Sequence, residues 1–396
     1  MADLLDYRNR FDSLAECHYL IANSLGAMPD RAREFARRYM DVWAGRGVRA
    51  WSEEWWMLAR EVGDKIGAII GAPQNTVSMH PNVTSAEEVV ISCYEDKAAC
   101  EGRDKIVMVD MEFPSIQYLY RAHAPGRYEV VTIPCPDGIS VPLEDLLEAI
   151  DEQTLLVPIS HVLFRSSYIV TAQAIIEKAH SVGARVVLDI FQSIGVVPVD
   201  MQALNVDFAV GGLLKWMCGG PGACFLYVRP DHAENLTPRF TGWLAHENPF
   251  GFERGSIKHT SGAYKFQSGT PVIPALYTCQ AGLELIGEIG VERIRERSKD
   301  MTALILSLAA ERGWRTTTHP DPEKRAGTVA LDLKNGFEIC ETLNLRNYLV
   351  DYRPRAGIRV SPHFYNTDTE IRDLFAEIDS IIKSDAYKRS SSTHAG

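Results

Sequence analysis

The sequence has no basic surplus. Its 41 Lys and Arg stand against 52 Asp and Glu, a formal net charge of −11. Sequence-independent nucleic-acid binding needs a basic face, so the charge argues against it. It argues equally against a polybasic membrane-surface role. No apolar run approaches the ~20 residues that span a bilayer, so no membrane partner is expected. The N-terminus, MADLLDYRNRFDS, has no basic stretch followed by an apolar one, so no secretory leader is expected. There is no CxxC. The eight cysteines (17, 93, 100, 135, 218, 224, 279 and 340) are scattered, and no pair has zinc-ligand spacing. The expectation is a cytoplasmic chain with reduced thiols and no metal.

Internal repeats and low-complexity segments are also absent. What remains is an ordinary globular composition, 46% hydrophobic and 23% charged over 396 residues. That length suits two domains of ~100–200 residues with a sizeable core. Short apolar runs recur at Ile106–Asp110, Tyr128–Ile133, Leu155–Ile159, Arg185–Asp189, Asp207–Val210 and Ala223–Val228. Helical periodicity appears at Trp55–Ile70, Pro142–Ile150 and Thr171–Val182. Buried strands alternating with helices predict an α/β fold, a mostly parallel sheet covered on both faces. The large domain is placed at 55–255. A smaller α+β domain is expected at 256–385, with helices at Ala275–Glu288, Val291–Arg312 and Thr369–Lys383 and a strand at Thr328–Leu333. Residues 1–54 read as a segment packing near the site, and 386–396 as a flexible polar tail.

The chemistry concentrates in residues 185–228. Asp189 ends an apolar strand run, and ligands of parallel α/β sheets sit at the carboxyl ends of strands. Alone it would read as a cap or a loop ion pair. Lys215 lies in GGLLKWMCGGPG, among apolar and glycine residues. Apolar surroundings lower a lysine pKa and make the amine nucleophilic. Alone it would read as a snorkelling surface lysine. Together, a buried Asp189, a nearby Gln192 and a later Lys215 suit pyridoxal phosphate (PLP). Lysine forms the Schiff base, the carboxylate keeps the pyridine nitrogen protonated, and Gln192 donates to the phenolic oxygen.

Further motifs extend this reading along the chain. They are Asn23-Ser-Leu-Gly26, Phe113-Pro-Ser115, Asp189-Ile-Phe-Gln192, Lys215-Trp216 with Gly219-Gly-Pro-Gly222, Gly242-Trp243 with His246, and Arg359-Val-Ser-Pro362-His-Phe-Tyr365-Asn366. In order and spacing the chain resembles fold-type I PLP enzymes of the class V aminotransferase group, kynureninases most of all. The resemblance implies that Phe113 stacks on the cofactor ring and that Arg359 binds the substrate α-carboxylate. It implies that Asn23, Ser24 and Trp243 flank the substrate, and that the enzyme is a homodimer with shared active sites. Ile116 stands where kynureninases carry Asp, Gln192 where they carry His, and Leu214 where they carry a phosphate-binding Tyr. Asp-x-x-Gln and the turn Gly269-Thr270-Pro271 resemble cysteine desulfurases and isopenicillin N epimerases instead. Their Thr reaches the phosphate across the dimer interface, which gives that role to Thr270. Thr84 and Ser85, before a helix expected at Ala86–Cys93, are the other phosphate candidates. An ordinary N-cap is the plain alternative there.

Trp51, Trp55 and Trp56 read as helix packing. Arg165 reads as an anion contact or a surface ion pair, and Cys340 as an inert helical thiol. The expected function is a PLP enzyme cleaving an amino-acid substrate at Cβ, as a kynureninase-like hydrolase or a C–S β-lyase. Decarboxylation with oxidative deamination, racemisation or epimerisation, and a cofactor-binding scaffold without catalysis are the alternatives. Transamination ranks behind the other enzyme chemistries.

Overall fold

A computed structural model describes residues 3–95 and 99–388. Most of the expected tail, from residue 389 on, lies outside the described residues.

Seven strands form the central sheet. Across it they run Val77–His80, Cys224–Val228, Phe208–Gly212, Arg185–Asp189, Thr154–Ser160, Lys105–Val109 and Glu129–Ile133. Five are mutually parallel, from Phe208–Gly212 through Glu129–Ile133. Cys224–Val228 runs antiparallel to both its neighbours. Strands such as Thr154–Ser160 and Phe208–Gly212 are buried at every residue, which is why they read as unbroken apolar runs rather than alternating ones. Strand order reverses between Lys105–Val109 and Thr154–Ser160, because Glu129–Ile133 lies outside the former. Such a reversal opens a crevice at the carboxyl ends of the strands.

The edge strand Val77–His80 has no counterpart among the sequence-expected strands. It carries Ser78 and His80 between apolar residues, yet all four residues are buried. The two polar side chains satisfy each other, Ser78 Oγ to His80 Nε2 at 3.0 Å. The helix Trp56–Ile69 lies on this strand through Gly63, where a Cβ would stand 2.6 Å from the Val77 carbonyl oxygen.

A second sheet of four antiparallel strands lies late in the chain, in the order Asp351–Arg353, Gly357–Val360, Val329–Asp332 and Arg315–Thr316. It shares a core with helices Val291–Glu311, Gly336–Leu345 and Asp368–Lys383, through Met301, Ile305, Leu343, Val360, Leu374 and Phe375. The last helix starts at a capping box, Thr367 with Glu370, and buries Ile371, Phe375, Ile378 and Ile381 along one face. The helix expected over Ala275–Glu288 is two helices, Ile273–Thr278 and Gln280–Ile289, meeting at Cys279.

The N-terminal segment is tied to this second sheet region. His18–Tyr19 pairs in parallel with Tyr348–Leu349, and Ile21 bridges Ser361. Arg8 adds an ion pair to Glu370 at 3.0 Å. Among the described residues no helix is long and apolar enough to cross a membrane.

Candidate active site

The carboxyl ends of the parallel strands deliver the polar groups. Asp189 and Ser160 are the last residues of their strands, and Phe113 follows the strand Lys105–Val109. Lys215 follows Phe208–Gly212. These ends open onto one cavity of about 360 Å³. Asn23, Ser24, Asn82, Thr84, Phe113, Asp189, Gln192, Lys215, Arg353 and Arg359 line it.

Lys215 and Asp189 are both forced toward neutrality. Burial lowers the Lys215 pKa to about 8, against a partial pull upward from Asp189. Burial raises the Asp189 carboxyl to about 6, partly offset by the Phe191 N–H it accepts at 2.8 Å and by Lys215. Both shifts are the signature of desolvated groups short of a counter-charge. Glu112 lies nearby and accepts the Ser160 N–H at 3.0 Å, and burial pushes its carboxyl up to about 8. Burial favours the neutral form of Glu112 more strongly than that of Asp189.

The loop holding Lys215 is fixed from three sides. Trp216 is fully buried; its indole N–H donates to Gln192 Oε1 at 3.0 Å, and its carbonyl faces His363 Nε2 at 2.8 Å. Gly26 donates its N–H to the Leu214 carbonyl at 2.8 Å. A Cβ at Gly26 would lie 2.1 Å from the Lys215 carbonyl oxygen, so only glycine lets the N-terminal segment seat there. Tyr365 Oη accepts the Ala27 N–H at 3.3 Å. Thus Gly26 and His363 hold the lysine loop, and Tyr365 holds the N-terminal segment seated on it; none of the three lines the cavity.

Asn23 is 1% exposed, and its amide nitrogen and oxygen both lack a partner among the described residues. An unpaired buried amide is costly and marks a place where a ligand completes the bonding. The Asn23 carbonyl accepts from Gln192 Nε2 at 3.0 Å. One of the two Nε2 hydrogens of Gln192 is therefore left for a ligand.

The helix Val83–Ser92 begins three residues earlier than expected, capped by Asn82. Asn82 Oδ1 accepts the Ser85 N–H at 2.8 Å and the Ser85 hydroxyl at 3.1 Å. Ser85 thus gives its hydroxyl hydrogen to the cap and is not among the residues lining the cavity. Asn82 and Thr84 do line it, at the positive end of the helix.

Arg359 is 3% exposed and paired. Its Nε donates to Asp351 Oδ1 at 2.7 Å, its Nη2 to Asp351 Oδ2, and its Nη1 to the Phe164 carbonyl at 2.5 Å. A guanidinium has five N–H donors, so two remain for a ligand. The guanidinium is therefore held in a buried ion pair, which orients the group that faces the cavity.

Two expected residues lie elsewhere. Trp243 does not line the cavity; it packs with Trp56 at 5.4 Å and Phe250 at 5.7 Å between ring centroids. Trp56 and Trp51 are only half-buried, whereas Trp55 is 5% exposed. Thr270 is exposed and lines a separate depression with His80, Pro81 and Gly222. Cys340 sits buried in the helix Gly336–Leu345 and burial raises its thiol to about 12, as an inert thiol requires. Sequence reasoning missed Asn82, Asp351 and Arg353. The N-cap preference of Asn before Val83 was the one available signal.

The residues present fit PLP. Asp189 offers a carboxylate for a ring nitrogen, Lys215 an amine for the aldehyde, Phe113 an exposed aromatic face, and Asn82 with Thr84 a helix terminus for the phosphate. The orphaned Asn23 amide and the free Gln192 hydrogen face the same space.

Comparison with known proteins agrees. The family model "Aminotransferase class-V" matches residues 22–374. The uncharacterized aminotransferase YcbU of Bacillus subtilis (strain 168) is 31% identical over 374 residues, covering 94% of this chain and 96% of its own length. Kynureninase of Bacillus anthracis is 29% identical over 409 residues, covering 98% and 93%. The apo structure of cysteine desulfurase from Thermococcus onnurineus NA1 superimposes with a TM-score of 0.85 at 21% identity, covering 97% of this chain and 99% of that one. A C-DES mutant with glycine covalently linked to its PLP cofactor gives 0.85 at 20% identity, covering 94% and 98%. The chain belongs to the class V aminotransferase family, with the fold of type I PLP-dependent enzymes.

Proposed function

We propose that this protein is a PLP-dependent lyase or hydrolase that cleaves an amino-acid substrate at Cβ. The observation that carries the reading is the convergence of Lys215, Asp189 and Arg359 on one cavity. A scaffold would gain nothing from burying a lysine and an aspartate at the cost of shifting both pKa values toward neutrality.

PLP, when bound, supplies an electron sink that weakens the bonds at the substrate's Cα. Lys215 would hold the cofactor covalently through its amine. A pKa of about 8 leaves part of its Nζ neutral near pH 7.5, and only the neutral amine is a nucleophile. With the cofactor bound to the substrate amine instead, the freed Nζ would be the group placed to take a proton from the substrate's Cα. Asp189 would hold a proton on the ring nitrogen. The two free N–H groups of Arg359 hold the α-carboxylate. Gln192 donates to the ring oxygen, and Asn82 and Thr84 hold the phosphate. Cleavage at Cβ is favoured over the other chemistries by the likeness to kynureninase along nearly the whole chain. We place the active enzyme in the cytoplasm as a homodimer, with Thr270 reaching the partner's phosphate.

The test is a substrate panel of kynurenine-type amino acids and S-conjugated cysteines, with alanine, pyruvate, hydrogen peroxide, carbon dioxide and substrate chirality followed together. Alanine marks hydrolysis at Cβ, and pyruvate marks β-elimination. Carbon dioxide with hydrogen peroxide, or racemised substrate, in the absence of alanine and pyruvate would overturn the reading.

A further inference from the structure

The cavity holds more positive charge than the cofactor chemistry described above uses. Arg359 lies at its buried wall. Arg353 lines it too, with a side chain 41% exposed, at the outer side. The two guanidinia share one carboxylate: Asp351 Oδ2 lies 3.2 Å from Arg353 Nη2 while Asp351 also takes the Arg359 fork. One carboxylate neutralises one guanidinium, so a charge is left over. Arg353 spends one further donor on the Tyr352 carbonyl at 2.8 Å. Three of its five donors stay unused by the protein.

Two more arginines neighbour residues of this wall without lining the cavity themselves. Arg165 follows Phe164, which lines the cavity, and its guanidinium rests 5.2 Å from the centre of that ring. Arg355 sits in the turn that joins the strand of Arg353 to the strand of Arg359. It is exposed and held at φ +67°, a left-handed conformation that a long side chain adopts only at some cost. Among the described residues neither Arg165 nor Arg355 has a carboxylate within ion-pair distance. They feel each other: burial and then the nearby Arg355 lower the Arg165 pKa, with Asp110 as the opposing charge. Arg353 and Arg359 thus share the one carboxylate of Asp351, while at Arg165 the charge of Asp110 opposes that of Arg355.

We propose that Arg353, supported by Arg165, binds a second anionic group at the far end of the substrate. The substrate class is then an amino acid with an oxyanion, such as a carboxylate, on its side chain. This rests on the reading that Arg359 takes the α-carboxylate. The geometry gives an inner clamp with two free donors and an outer one with three, on the same cavity wall. Planar forks of this kind match carboxylates bidentately.

The experiment is calorimetric binding of unreactive acids to the holoenzyme. Succinate, glutarate and adipate are compared with monocarboxylates of equal chain length. At least one diacid should bind roughly tenfold or more tighter than its monoacid, which corresponds to about 1.4 kcal/mol. Arg353→Gln should abolish that preference, and Arg165→Gln should reduce it. Both side chains are partly exposed, and Asp351 keeps Arg359 as partner in either variant, so folding is not at stake. No diacid preference in the wild type, or a preference kept in both variants, overturns the proposal. Monoacid binding lost in Arg359→Lys supports the inner clamp separately. If Arg359→Lys leaves monoacid binding intact, it is the α-carboxylate reading that fails.

Discussion

Asp351 and Arg359 face each other in register on the two strands of one hairpin, and the carboxylate grips the guanidinium through two of its nitrogens. The pair is buried, and it points the remaining donors of Arg359 at the cavity. A buried ion pair adds little net stability, but removing one partner leaves the other uncompensated. What the pair supplies here is direction.

Arg359→Lys should lower kcat/KM about 30- to 1000-fold, since losing a bidentate contact costs roughly 2–4 kcal/mol. Asp351→Asn should leave the guanidinium in place but unaimed. It should raise KM with a smaller change in kcat, and lower stability by about 3 kcal/mol in urea unfolding. Full efficiency in both variants would make the pair purely structural.

Lys215 gives a pH signature in the cofactor-free protein. Its ordinary pKa is 10.5 and burial lowers it to about 8 in the folded state. Below pH 8 the ammonium is present in both states, and the folded state carries the whole desolvation cost. Above 10.5 the amine is neutral in both, and the cost is gone. Apo Lys215→Met should therefore exceed the apo wild type in stability by on the order of 3 kcal/mol below pH 8. The advantage should shrink as pH rises toward 10.5. Chemical unfolding at pH 7 and pH 10 reads this directly; a gap that does not narrow contradicts a buried, desolvated Lys215.

Much of this site was legible in the sequence because strand ends carry it. The run RVVLD announces both a buried strand and a carboxylate at its carboxyl end, and GGLLKW places a lysine in apolar surroundings. Both positions follow from chain-local pattern. What was not legible depends on partners distant in space. The pairing of Asp351 with Arg359 comes from hairpin register, and nothing in DYRPRAGIR fixes that register. The strand Val77–His80 escaped because Ser78 and His80 break its apolar run and satisfy each other only once folded. The helix start was read three residues late because Asn82, rather than Thr84 or Ser85, is the cap.

Gly26 tests the contact between the N-terminal segment and the lysine loop. Gly26→Ala puts a methyl into the Lys215 carbonyl, so one of the two must move. A cost of about 1–3 kcal/mol is expected from overpacking. Cofactor retention on gel filtration should fall with it, whereas Gly45→Ala, at a site with open space around it, should leave retention unchanged. Equal retention in both variants would detach the segment from the site.

Thr270 tests the assembly. It is exposed and lies outside the cavity of its own chain, as a residue serving a second active site would. Sedimentation of the holoenzyme should give a dimer, and Thr270→Ala should retain less PLP while unfolding at an unchanged denaturant midpoint. A monomer with full activity contradicts the shared site.

The central claim is that Lys215 carries the cofactor. Borohydride treatment of the yellow holoenzyme fixes PLP to the amine that holds it, and peptide mapping then identifies the residue. The expected result is a single pyridoxyl label on Lys215, absent from Lys215→Met treated in the same way. A label on any other lysine, or no covalent label on a protein that binds PLP, would contradict the assignment of this cavity.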